Sequence, residues 1–105
     1  MSNVKFSPEA ESDIVAVYDY ICNKLVNKIA AVNTVNKILE TVSVLSEFPQ
    51  SGKVFYLPDN SETVYRYLVI DDYLAFYTVE GEQVNIVRII YGKRNYIDTL
   101  GLLRQ

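Results

Sequence analysis

Apolar residues recur with helical spacing through the first half of the chain and with strand-like density through the second, and this contrast predicts the elements. The run Val4-Lys5-Phe6 predicts a short strand over 4–6, and the following SPEAE carries the marks of a helix start. Ser7 can cap, Pro8 suits the first helical position where its missing N–H costs nothing, and Glu9 and Glu11 favour the positive helix end. Ile14, Val17, Tyr18, Ile21 and Leu25 then fall at i, i+3, i+4, i+7 and i+11, one stripe of an amphipathic helix. The stretch NKLVN (23–27) interrupts the pattern. A second stripe of Val35, Ile38, Leu39, Val42 and Leu45 runs up to Phe48-Pro49, where proline stops the helix. Two packed helices, a helical hairpin, follow from the pair of stripes.

Beyond PQSGK (49–53) the texture changes. KVFYLPDNSE is expected to be irregular, with Pro58, Asp59, Asn60 and Ser61 as turn formers. Residues 63–70, 73–79 and 83–91 are rich in β-branched and aromatic side chains and are separated only by Asp71-Asp72 and by Glu80-Gly81-Glu82. Connections this short join antiparallel neighbours, so the three form a meander. The tail NYIDTLGLLRQ (95–105) is read as a short helix interrupted by Gly101. The resulting architecture is β-α-α-β-β-β in the α+β class, a mainly antiparallel sheet with the helical hairpin packed on one face and a short C-terminal helix. Strand alternation places Val64, Arg66, Leu68 and Ile70 on one side and Tyr65, Tyr67 and Val69 on the other, the tyrosines facing the more exposed side. Arg88 is expected to share a face with Val84, Ile86 and Ile90, to lay its stem on them, and to pair with an acid such as Glu11 or Asp13.

A chain of 105 residues, half of them apolar or aromatic, has room for one domain spanning 1–105 and one core. Its start lacks the apolar run of a signal peptide and no stretch approaches the length of a membrane span, so a cytoplasmic protein is expected. Histidine is absent and Cys22 is the single cysteine. The usual zinc ligand sets, an intrachain disulfide and a Ser-His or Cys-His nucleophile pair are therefore all unavailable. Net charge is −3, which disfavours a general nucleic-acid binder. The charge is uneven, however. Residues 83–105 carry Arg88, Lys93, Arg94 and Arg104 against Asp98 alone.

Three features occur in order: FSPEAESDIVAVYDYI at the start, a second helix ending in LSEFPQSGK, and a last strand ending in VRIIYGKR. Together they resemble the RelE/ParE family of small bacterial toxins, which includes plasmid-stabilisation toxins, over nearly the whole chain. The resemblance implies the toxin of a type II toxin-antitoxin pair, joined in a hetero-oligomer with a cognate antitoxin of ParD or RelB type, and no cofactor. Two mechanisms divide the family. RelE-like members are mRNA endonucleases that act at the ribosome without a metal, whereas ParE-like members bind DNA gyrase and block replication.

For RNA cleavage the attacking 2′-hydroxyl needs a base, the developing phosphorane needs cations and the leaving oxygen needs an acid. Carried over by position, Arg66 and Arg94 match two members of the RelE-like basic set, and Tyr96 supplies the tyrosine after a shift of register. Leu68, Leu74 and Leu100 stand where a lysine, an arginine and a tyrosine are expected. The texture of the sheet and tail is closer to the ParE branch, which implies target contacts at Arg88, Lys93, Arg94 and Tyr96 and antitoxin contacts at Tyr65, Tyr67 and Tyr73. Lys93 and Arg94 can equally be solvated charge, with Gly92 supplying a turn conformation. A member that only binds its antitoxin and is not toxic is the third reading.

Overall fold

The structure is a computed structural model and describes residues 2–92. Strand β1 (Asn3–Phe6) leads into helix α1 (Pro8–Asp19), a π turn (Tyr20–Lys24), helix α2 (Lys28–Ser43) and a 3₁₀ turn (Val44–Ser46). Strands β2 (Lys53–Tyr56), β3 (Glu62–Ile70), β4 (Tyr73–Glu80) and β5 (Gln83–Tyr91) complete the fold. The sheet order is β1-β5-β4-β3-β2, with β1 parallel to β5 and every other pair antiparallel. The α+β class, the hairpin and the meander are as the sequence predicts. The C-terminal helix expected over 95–105 lies outside the described residues.

Local chemistry sets the helix limits. Ser7 adopts an extended conformation and its Oγ accepts from Ala10 N at 3.0 Å, with Pro8 next in line. At the other end α1 does not simply stop. The π turn widens the spiral, with Leu25 N donating to Tyr20 O at 3.3 Å and Asn27 N to Ile21 O at 3.2 Å. That extra residue rotates the stripe, so Val17 and Ile21 are buried while Leu25, expected on the same face, is 58% exposed. Asn27 then caps α2 by accepting from Ala30 N at 3.0 Å. The buried face of α2 runs through Ala31, Ile38, Val42 and Leu45. Leu39, one residue and so about 100° round from Ile38, faces outward.

Two departures concern the sheet. Residues 53–56, expected to be irregular, form β2, with Phe55 buried and the neighbouring Lys53 and Tyr56 exposed. Four residues with a register shift between Val54 and Tyr56 give too short an alternation to stand out in sequence. In β5 the pairing with β4 slips between Phe76 and Tyr77, whose partners are Arg88 and Ile86, leaving Val87 as a bulge residue. The alternation therefore inverts there. Val84, Ile86 and Ile89 join the helix-side core, while Ile90 packs with Phe55 and Phe76 on the opposite face. Arg88 thus does not share one face with Val84, Ile86 and Ile90.

The opposite face carries its own aromatic cluster, with Phe55 and Phe76 edge to face at 5.5 Å and Tyr65 and Tyr67 packed around them.

The Pro-x-x-Gly segment after the second helix is held by one buried phenol. Tyr77 Oη donates to Pro49 O at 2.9 Å and accepts from Gly52 N at 2.8 Å. A Cβ at position 52 would come within 2.7 Å of Tyr77 Cε1 and 2.9 Å of Tyr67 O, so close approach requires glycine there. Burial pushes the Tyr77 phenol above its ordinary value near 10, against the lowering effects of Gly52 N–H and Arg66. The folded state holds this proton more tightly than the unfolded chain. Its contribution is therefore complete below about pH 10 and is lost as pH rises through the folded value. Tyr77→Phe is expected to cost about 1–3 kcal/mol by orphaning the buried Gly52 N–H, and to flatten the alkaline fall of stability; urea unfolding at pH 8 to 11 checks both.

Candidate functional site

Strand β1 ends at Phe6 opposite Ile86, so the outer edge of β5 beyond that point needs other partners. The start of α1 provides them. Ser7 N donates to Ile86 O at 2.9 Å and Ser7 Oγ to Val87 O at 2.9 Å. Nearly two turns further along α1, Asp13 Oδ2 accepts from Ile89 N at 2.9 Å. The same carboxylate receives Arg88 Nε at 2.7 Å and Arg88 Nη2 at 2.9 Å, a bidentate pair largely withdrawn from solvent. The hydrogen bonds that Arg88 donates to Asp13 raise its pKa above the ordinary value, outweighing partial burial. Arg88, a candidate target contact by sequence, thus fastens β5 to α1 through Asp13.

Arg66 is committed in a similar way. Its Nη1 donates to Gly52 O at 2.9 Å and to Gln50 O at 3.4 Å, on the loop that Tyr77 also holds. Leu68 packs against the helix-side core and Leu74 against the Phe76 cluster, so neither position offers a cation. Lys93, Arg94 and Tyr96 lie outside the described residues. Gly92 N donates to Asp72 O at 2.8 Å, which fixes the end of β5 beside the β3–β4 turn.

The three tyrosines expected to meet one partner are divided between the two faces. Tyr65 and Tyr67 surround Phe76 on the face away from the helices, whereas Tyr73 packs against the helix-side core. Tyr73 stands edge to face with Tyr91 at 5.9 Å, beside a cleft of about 1030 Å³. Tyr20, Leu25, Asp71 and Asp72 line the cleft with them, over a floor that includes Val17, Ile21 and Ile89. Tyr20 and Asp72 carry no sequence signal as site residues, since one lies off the helical stripe and the other belongs to a hairpin turn.

Chemically, the described residues bring no cationic set together. Arg66 and Arg88 lie on different carbonyl and carboxylate acceptors, and no group of three or more Cys, Asp or Glu among the described residues is placed to hold a metal ion. No helix among them is long and apolar enough to cross a membrane.

Over residues 4–96 the sequence matches the family described as the ParE toxin of type II toxin-antitoxin system, parDE. The fold is similar to a solved structure from the chromosomal ParDE TA system of P. aeruginosa, with a TM-score of 0.72 and 25% identity over 87% of this chain and 96% of that one. No curated protein matches the sequence.

Truncating the shared carboxylate tests the fastening. Asp13→Ala removes the carboxylate that pairs with the Arg88 guanidinium and accepts from Ile89 N–H, and is expected to cost about 3 kcal/mol. Asp13→Asn retains an acceptor for Ile89 and is expected to lose roughly half as much. Denaturant unfolding of both variants checks the order.

Proposed function

The chain belongs to the ParE toxin family of type II toxin-antitoxin systems, and from that premise we propose that it is the toxin of such a pair, neutralised by a cognate antitoxin, and that it inhibits DNA gyrase by occupying a protein surface. The observation that carries the gyrase reading is the use of the sheet arginines. Arg66 and Arg88, the cations of the sheet named by sequence, both serve internal acceptors, and positions 68 and 74 are packed leucines. Metal-free RNA cleavage depends on preorganised cations, each typically worth about 3 kcal/mol of transition-state stabilisation. A protein-binding mechanism has no such requirement.

On this reading β5 is the working arm. It is paired with β4 on one edge, with β1 and then α1 on the other, and is held on both edges. Lys93, Arg94 and Tyr96, which follow β5 in sequence, are the proposed gyrase contacts, and Arg88 joins β5 to α1. The antitoxin contacts proposed at Tyr65, Tyr67 and Tyr73 lie on opposite faces, so an antitoxin reaching all three has to pass round the sheet.

Inducible expression in a bacterial host, followed by labelled thymidine and labelled methionine incorporation in the first minutes, tests the mechanism. Thymidine uptake is expected to fall first, and removal of the residues after Gly92 to abolish the effect. An earlier fall in methionine uptake, abolished by Arg94→Ala, would instead mark an RNA-cutting toxin. Growth without either change, with the protein folded and soluble, would mark a chain that only binds its antitoxin.

A further inference from the structure

The cleft between the end of α1 and the β3–β4 turn has a distinctive chemistry. Tyr20, Tyr73 and Tyr91 gather on it, and the Tyr73 phenol is raised above its ordinary value by burial and then by Asp72, Tyr20 and Tyr91, so these groups stand near one another. Three carboxylates line the same cleft. Asp13 is balanced by Arg88 and Asp71 by Lys37 at 2.6 Å, whereas Asp72 forms no ion pair among the described residues. Among the described residues, one negative charge beside three aromatic rings is left without a counterpart. An aromatic face attracts a cation through its quadrupole, and a neighbouring carboxylate adds to that attraction.

The rim extends the argument. Leu25 lines the cleft, and beyond it the hairpin tip presents Val26 and Ile29, which are 83% and 76% exposed. Val26 has φ +49°, a left-handed conformation that a β-branched residue rarely adopts. Such strain persists only where the surroundings impose it, and it clusters at binding surfaces. Its effect here is to hold an aliphatic ridge outward beside the aromatic and acidic cleft.

We infer that the Tyr20–Tyr73–Tyr91–Asp72 cleft is a docking site for a partner protein segment that presents an arginine or lysine flanked by aliphatic side chains. The cation enters between the rings against Asp72, and the flanking aliphatics lie on Leu25 and the hairpin tip. This assignment is independent of which target the toxin attacks.

The probe is an acetylated Leu-Arg-Leu amide, titrated into the full-length chain with the tyrosine ring signals followed by NMR. Its citrulline counterpart, which has the same shape without the charge, is the control. The arginine peptide is expected to shift Tyr20, Tyr73 and Tyr91 saturably and to bind at least tenfold more tightly than the citrulline peptide. Asp72→Asn and Tyr20→Leu, both at exposed positions, are each expected to weaken arginine binding about fivefold to thirtyfold while leaving the fold intact. Equal binding of the two peptides, or shifts confined to other residues, would overturn the assignment. Two further results would also overturn it by naming another occupant. One is peptide affinity that rises more than tenfold in a Lys93→Ala, Arg94→Ala double variant, which would mean that this chain's own cations fill the cleft. The other is concentration-dependent movement of the same three tyrosines without peptide, which would mean a second copy.

Discussion

The Asp13 carboxylate accepts from Ile89 N–H and from two nitrogens of Arg88, and it does so where β5 has run past the end of β1. A strand edge left open at that point would expose backbone donors and acceptors and invite pairing with another chain. Here the first turns of α1 close it, through Ser7 N–H, Ser7 Oγ and Asp13 in succession. The orientation of the helical hairpin on the sheet follows from the same contacts, because α1 cannot satisfy the β5 edge and swing away from it. The core of Val17, Ile21, Ile38 and Val42 against Ala75, Val84, Ile86 and Ile89 is assembled on that alignment.

The bulge at Val87 belongs to the same device. Without the slipped register between Phe76 and Tyr77, strict alternation could not put both Ile86 and Ile89 on the helix side. A second anchor stands across the sheet, where Tyr77 and Arg66 grip the loop from Pro49 to Gly52. Both arginines of the described sheet thereby become parts of the scaffold. That assignment is why a protein-binding mechanism suits this chain better than an RNA-cutting one, which would need those cations aimed at a phosphate.

Much of this was legible in the residues. Ser7, Pro8 and the two acids of the first helical turn mark the start of α1, and the pairing of Arg88 with an acid such as Asp13 is an expectation that the geometry narrows to one residue. Three features were not legible because each depends on a local insertion or on long-range pairing. The π turn adds a residue to a helical stripe and so turns Leu25 outward; the β5 bulge breaks a period of two; and β2 exists because β3 offers it an edge, not because its four residues demand it. The same limits explain the site. Tyr65, Tyr67 and Tyr73 look alike along the chain, but hairpin geometry sends Tyr73 to the face opposite the other two, beside a cleft whose members Tyr20, Asp72 and Tyr91 meet only in the folded protein.

The most direct test of the proposed mechanism is a supercoiling reaction with purified DNA gyrase, relaxed plasmid and the purified chain, run beside a translation extract programmed with a defined messenger RNA. The account predicts that the chain blocks supercoiling, that stoichiometric antitoxin restores it, and that the messenger stays intact. Cleaved messenger with gyrase unaffected would contradict it.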